Sequence, residues 1–150
     1  AEPRLIGRSF TVNADLVLDK PDASGAVLAL GSHFGGWSLY LDQGRPAFTW
    51  ARSTDPAEIV TVRADKTLPA GAAKLRLQFI VTGRAGPAEV VLSSGGQELA
   101  RGKLSTSVLM PSGNTETLDV GRDLQTPVTT YRTPHGVIEG DIPHVGIDLD

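Results

Sequence analysis

From Phe10 to Leu18 every second residue is apolar: Phe10, Val12, Ala14, Leu16 and Leu18 alternate with Thr11, Asn13 and Asp15, and Ser9 precedes them on the polar side. Successive side chains of a strand point to opposite faces, so this period of two specifies a β-strand with one buried face and one wet face. The pattern returns in Lys74–Val81, where Leu75, Leu77, Phe79 and Val81 oppose Lys74, Arg76 and Gln78. It closes the chain as well, with Val145, Ile147 and Leu149 set against His144, Gly146 and Asp148. No window of about ten residues or more carries the i, i+3, i+4, i+7 apolar stripe of an amphipathic helix. One-sided strands must bury their apolar faces against each other, and two facing sheets do so most simply.

The breaks between strands are written in glycine and proline, which number 17 and 10 of the 150 residues. Asp42-Gln43-Gly44 separates Trp37–Leu41 from Arg45–Trp50, and Ser94-Gly95-Gly96 separates Ala88–Ser93 from Gln97–Leu104; glycine supplies the positive φ of a tight hairpin. The expected strands are 9–18, 26–31, 37–42, 45–51, 58–64, 74–81, 88–94, 97–104, 117–121, 136–141 and 143–149. Their short, regular spacing is that of an all-β sandwich, and unequal lengths fit a two-sheet antiparallel jelly roll better than a closed barrel. The last two runs are expected to return beside the first. Phe10, Val12, Leu39, Leu77, Phe79, Val120, Val145 and Ile147 are expected in the core. Trp37 and Trp50, which alternate with Leu39, Leu41 and Phe48, belong there too, whereas Tyr40 shares the outward face with Ser38 and Asp42.

The length makes residues 1–150 one domain, large enough to build its own core. The net charge is −3 and the pI about 5.6, with no basic stripe for nucleic acid. No apolar run approaches the roughly 18–20 residues of a membrane-spanning helix. Cysteine is absent, which removes disulfides, zinc-thiolate sites and cysteine nucleophiles and leaves the compartment open, a periplasmic or extracellular one being favoured. Ala1-Glu-Pro-Arg4 lacks the features of a signal peptide; such a start fits a module separated from a longer chain, or a protein that is the module alone.

Few residues offer chemistry. None of the three histidines, His33, His135 and His144, forms a ligand-spaced pair. His33 and His135 fall in loops and His144 on an outward face. Asp119 and Asp123 flank Val-Gly-Arg and are the candidate calcium ligands, since Ca²⁺ takes six to eight oxygens at sites built from carboxylates and carbonyls; the alternative for Asp123 is to pair with Arg122 or cap the following loop. Glu139-Gly-Asp141 lacks a further glutamate for a glycosidase pair, and aromatic residues are 5% of the chain, sparse for a sugar-stacking cleft. No Gly-x-Ser-x-Gly elbow is present. Tyr131 lies beside Arg132 in a polar loop, a pairing that suits a sugar, an anion or a protein surface.

Three segments together resemble laminin-G/concanavalin A-like sandwich modules: Gly36-Trp-Ser-Leu-Tyr40 running to Gly44-Arg-Pro46, Asp119-Val-Gly-Arg-Asp123, and the closing segment Gly136–Leu149. With Gly7-Arg-Ser-Phe-Thr-Val-Asn-Ala-Asp15, Phe34-Gly35 and Leu68-Pro-Ala-Gly71, and with Pro127-Val128, the order looks most like the non-catalytic sandwich domain that follows the hydrolase domain of many bacterial arylsulfatases. The resemblance covers about residues 5–149. It implies an accessory module that contacts a sulfatase-type catalytic domain or positions its substrate, and it implies no catalysis by this chain, which has no Cys/Ser-x-Pro-x-Arg sequence. The alternative is a free-standing carbohydrate-binding, lectin-like domain, calcium-dependent or not; glycosidase activity is a third reading. A ligand is expected at the rim formed by loops 31–36 and 121–135, with His33, Arg122, Asp123, Tyr131 and Arg132 as contacts.

Overall fold

The alternating segments pair into two five-stranded antiparallel sheets. In the computed structural model, residues 7–84, 86–109, 118–124 and 127–150 are described. The first sheet runs β10 (Gly140–Leu149), β1 (Phe10–Leu18), β6 (Gly71–Val81), β7 (Ala88–Ser94), β8 (Gln97–Leu104). The second runs β5 (Ile59–Arg63), β4 (Arg45–Ala51), β3 (Gly35–Asp42), β2 (Gly25–Ser32), β9 (Leu118–Val120). The described residues contain no α-helix, only single 3₁₀ turns at Pro56–Glu58 and Pro134–Gly136. This is the all-β jelly-roll sandwich that the alternation predicts.

Register explains the core. β1 places Phe10, Val12 and Ala14 opposite Phe79, Leu77 and Leu75 of β6, so the apolar faces of both strands coincide. The second sheet contributes Trp37, Leu39, Phe48 and Trp50, all buried. Phe10 stacks on Phe79 at 4.9 Å and on Trp37 at 5.5 Å, and Trp50 stacks on Phe79 at 5.3 Å. The Phe10–Trp37 and Trp50–Phe79 contacts tie the two sheets together, and such pairs contribute about 0.5–1.5 kcal/mol each beyond their burial.

The Gln43-Gly44 hairpin shows why its glycine is needed. Both residues take positive φ, 52° and 82°, the backbone that a two-residue hairpin uses to match the strand twist. A Cβ on Gly44 would also stand 2.1 Å from the carbonyl oxygen of Pro21. Ser24 Oγ accepts the Gln43 N–H at 2.8 Å.

Several expectations need correction. The strand placed at Gly136–Asp141 does not form over its first part, and β10 begins at Gly140. Pro134 lacks an N–H, and His135 and Gly136 both take positive φ, 54° and 64°, which curls the chain where a strand needs it extended. Val120 is 46% exposed instead of buried, because β9 is an edge strand three residues long, paired only with β2. Val145 and Ile147 lie on the edge strand β10 and are only partly buried against the core. The return of β10 to β1 is as expected, with Phe10 opposite Leu149. Thr117, within the expected strand 117–121, and Gln125 and Thr126, within the expected ligand loop, lie outside the described residues.

Candidate functional site

The outer face of the second sheet is where the remaining chain collects. Its outward positions form cross-strand rows. Ser38, Thr49 and Thr61 lie opposite one another on β3, β4 and β5, and Tyr40, Ala47 and Arg63 form the next row. Hydroxyls link the rows: Tyr40 Oη to Thr49 Oγ1 at 2.7 Å, and Thr49 Oγ1 to Thr61 Oγ1 at 2.9 Å. The connection from β9 to β10 folds back over this face. It is stitched to β2 by Gly121 N donating to Val27 O (3.0 Å), and to Ser24, just before β2, by Glu139 N donating to Ser24 O (3.0 Å) and Ser24 N to Glu139 Oε1 (3.0 Å). Lys20 Nζ pairs with Glu139 Oε2 at 3.1 Å, and these bonds hold the Glu139 carboxyl below its ordinary range.

Tyr131 is the latch of that connection. Its hydroxyl donates to Asp123 Oδ2 and contacts Ser38 Oγ at 2.8 Å. Its ring meets Tyr40 edge-on, with centroids 5.6 Å apart. Asp123 is 2% exposed; its Oδ2 also accepts the Val128 N–H at 2.8 Å. Burial pushes the Asp123 carboxyl up, and its bonds to Tyr131 and Val128 oppose that only in part. Burial, then the bond to Asp123, pushes the Tyr131 phenol far above its ordinary range, so it stays a donor. Gly136 leaves room for the ring. A Cβ there would stand 2.9 Å from Tyr131 Cδ2, and the positive φ of 64° suits glycine.

Beside the latch lies an open cleft of about 560 Å³. Tyr40, Leu41 and Asp42 of β3 and Thr61 and Arg63 of β5 form one side, and Thr129–Arg132 the other. At its end Asp42 faces two arginines: Arg132 Nε donates to Oδ1 at 2.5 Å, and Arg63 Nε forms an ion pair with Oδ2 at 3.1 Å. Hydroxyls, a carboxylate, guanidiniums and tyrosine rings thus converge on one concavity.

The five residues expected at a rim are not all brought together. Asp123, Tyr131 and Arg132 join in and around the cleft wall, Asp123 as a buried support. His33 lies in the turn at the opposite end of β3 from Asp42, where its Nδ1 is 3.1 Å from the Pro127 carbonyl oxygen. Arg122 is exposed and makes no ion pair with a described residue. Asp123 takes the loop-capping role and does not pair with Arg122. Asp119 Oδ2 accepts the Leu124 N–H at 2.9 Å, so both carboxylates proposed for calcium serve as hydrogen-bond acceptors for the loop that follows them. Among the described residues no three His, Cys, Asp or Glu side chains gather as a metal site would require. Asp42, Thr61 and Arg63 line the cleft and do not stand out in the sequence. Their signal was the shared outward parity of neighbouring strands, visible only once the β3–β4–β5 register is known.

No protein-family model matches the sequence, and no curated protein matches it. Solved structures do match. The CBM40 domain of the Ruminococcus gnavus IT-sialidase bound to α2,3-sialyllactose superposes with a TM-score of 0.70 at 12% identity, over 96% of this chain and 78% of that one. Domains LG4-5 of the mouse laminin α1 chain give 0.67 at 12% identity, over 99% of this chain and 38% of that one. The heptameric SAP-like pentraxin of Limulus polyphemus gives 0.56 at 9% identity, over 93% and 63%. The expected link to arylsulfatases finds no support among these structures. At such identities the likeness is one of fold, and the chain has the jelly-roll sandwich fold of laminin-G and CBM40 domains.

Proposed function

We propose that this chain is a carbohydrate-binding module that holds a saccharide in the cleft between β3–β5 and Thr129–Arg132. The observation that carries the reading is the cleft itself. Thr61, Thr129 and Thr130 offer hydroxyls that both donate and accept, as sugar hydroxyls demand, and the partly exposed Tyr131, backed by the buried Tyr40, supplies aromatic surface beside them. The latch of Tyr131 onto Asp123 and Ser38 fixes one wall in advance, which lowers the ordering cost of binding. The fold of this chain is shared with a domain whose structure was determined with sialyllactose. Under this reading the chain contributes binding and no turnover, and the cleft grips through hydroxyls and guanidiniums without calling on calcium.

This lectin-like reading takes precedence over the role of a module docked on a sulfatase-type catalytic domain. A glycan array probed with the purified chain, with and without EDTA, tests it. Selective saccharide binding that persists in EDTA is the expected result. An array without a saccharide signal, together with capture of a sulfatase-type domain, would return the accessory role to first place.

A further inference from the structure

We infer that the cleft selects acidic saccharides, gripping a carboxylate or sulfate on the sugar between Arg63 and Arg132. This rests on the carbohydrate-binding reading above and narrows its substrate class. Two guanidiniums converge on one carboxylate, Asp42, so the cleft end carries one uncompensated positive charge. It does so on a chain whose net charge is −3, which makes the spot a local exception to the molecule's overall sign.

The arrangement also leaves the right atoms free. Each guanidinium approaches Asp42 most closely through its Nε, and neither arginine donates a hydrogen bond from its Nη groups to a described residue. Asp42 has a side chain 18% exposed, against 43% and 56% for Arg63 and Arg132. The carboxylate therefore sits beneath the guanidiniums as a fixed anchor, while their outer edges face water. A planar guanidinium with two open N–H groups matches the two oxygens of a carboxylate or sulfate in a fork that a lysine cannot reproduce. The guanidiniums come from separate elements, Arg63 from β5 and Arg132 from the β9–β10 connection. Asp42 is what brings them to one place, and Thr61, Thr129 and Thr130 lie in the same cleft for the sugar hydroxyls. A neutral sugar would leave the surplus charge without a partner, which is the physical basis for selection.

The test compares saccharides with and without the acidic charge: sialyllactose and its carboxyl methyl ester; sulfolactose and lactose; trigalacturonate and its methyl ester; and the neutral and acidic members of any backbone that the glycan array selects. Affinities are read by titration calorimetry at low and high salt. The acidic form is expected to bind at least about tenfold more tightly than its neutral partner, with the advantage shrinking in salt, since exposed charge pairs are screened. The sialyl and galacturonate arms against the sulfo arm decide between carboxylate and sulfate. In the R63Q/R132Q double variant the preference for the acidic form is expected to vanish. Equal affinity for acidic and neutral partners, or an acidic preference that survives R63Q/R132Q, overturns this inference and leaves the carbohydrate reading standing. Binding to no saccharide of either kind overturns both.

Discussion

Asp123 is the only buried charged side chain among the described residues, and its carboxyl is raised from the ordinary value of 3.8, chiefly by burial. A folded-state pKa above the unfolded one means that the folded chain binds the proton more tightly. This contribution to stability is therefore full below about pH 3.8 and is lost as the pH rises through the raised value. Glu139 and Glu98 act in the opposite sense, since both are lowered, so the term of Asp123 shows best in a difference. The unfolding free energy of the wild type minus that of D123N is expected to grow as the pH falls from 7 to 4 and to level off below, measured by denaturant titration across pH. A difference independent of pH would contradict the burial of this carboxylate. Gly136 tests the same latch from the other side. Gly136→Ala places a methyl against the Tyr131 ring at a positive φ, which costs about 1–2 kcal/mol for the backbone alone. A lower denaturation midpoint together with weakened saccharide binding is the expected outcome.

At the scale of elements, burial follows position in the sheet more than side-chain type. Leu39, on the central strand β3, is fully buried, whereas Val120, on the edge strand β9, is 46% exposed. Leu39→Ala is expected to cost about 2–5 kcal/mol, and Val120→Ala about 0.5 kcal/mol or less. Chemical denaturation of the two variants distinguishes this account from one in which both residues are core. The same contrast explains what the sequence made legible. Alternation in Phe10–Leu18, Lys74–Val81 and Trp37–Leu41 marks strands and their inner faces, because period is a local property. Edge or centre is a property of pairing order, so Val120, Val145 and Ile147 carry the core pattern without core burial. The curl at Pro134–Gly136 was hidden for another reason. Its positive φ at His135 falls on a residue that does not announce it, and Val137, Ile138 and Ile142 beyond it look like strand.

Across the whole molecule, the chain closes on itself by pairing β10 with β1, and the β9–β10 connection lies across the second sheet as the wall of a cleft. Part of that wall was legible: Tyr131, Arg132 and Asp123 stand together in one polar loop. The facing wall was not, since Asp42 and Arg63 are 21 positions apart in the sequence and meet only through the β3–β4–β5 register. The central claim is that a saccharide occupies this cleft. Nuclear magnetic resonance titration of the ¹⁵N-labelled chain with a saccharide selected from the array tests it most directly. The account predicts saturable amide shifts concentrated at residues 40–42, 61–63 and 129–132. Shifts confined to the outer face of the opposite sheet, around Asn13, Lys74, Arg76 and His144, would contradict it.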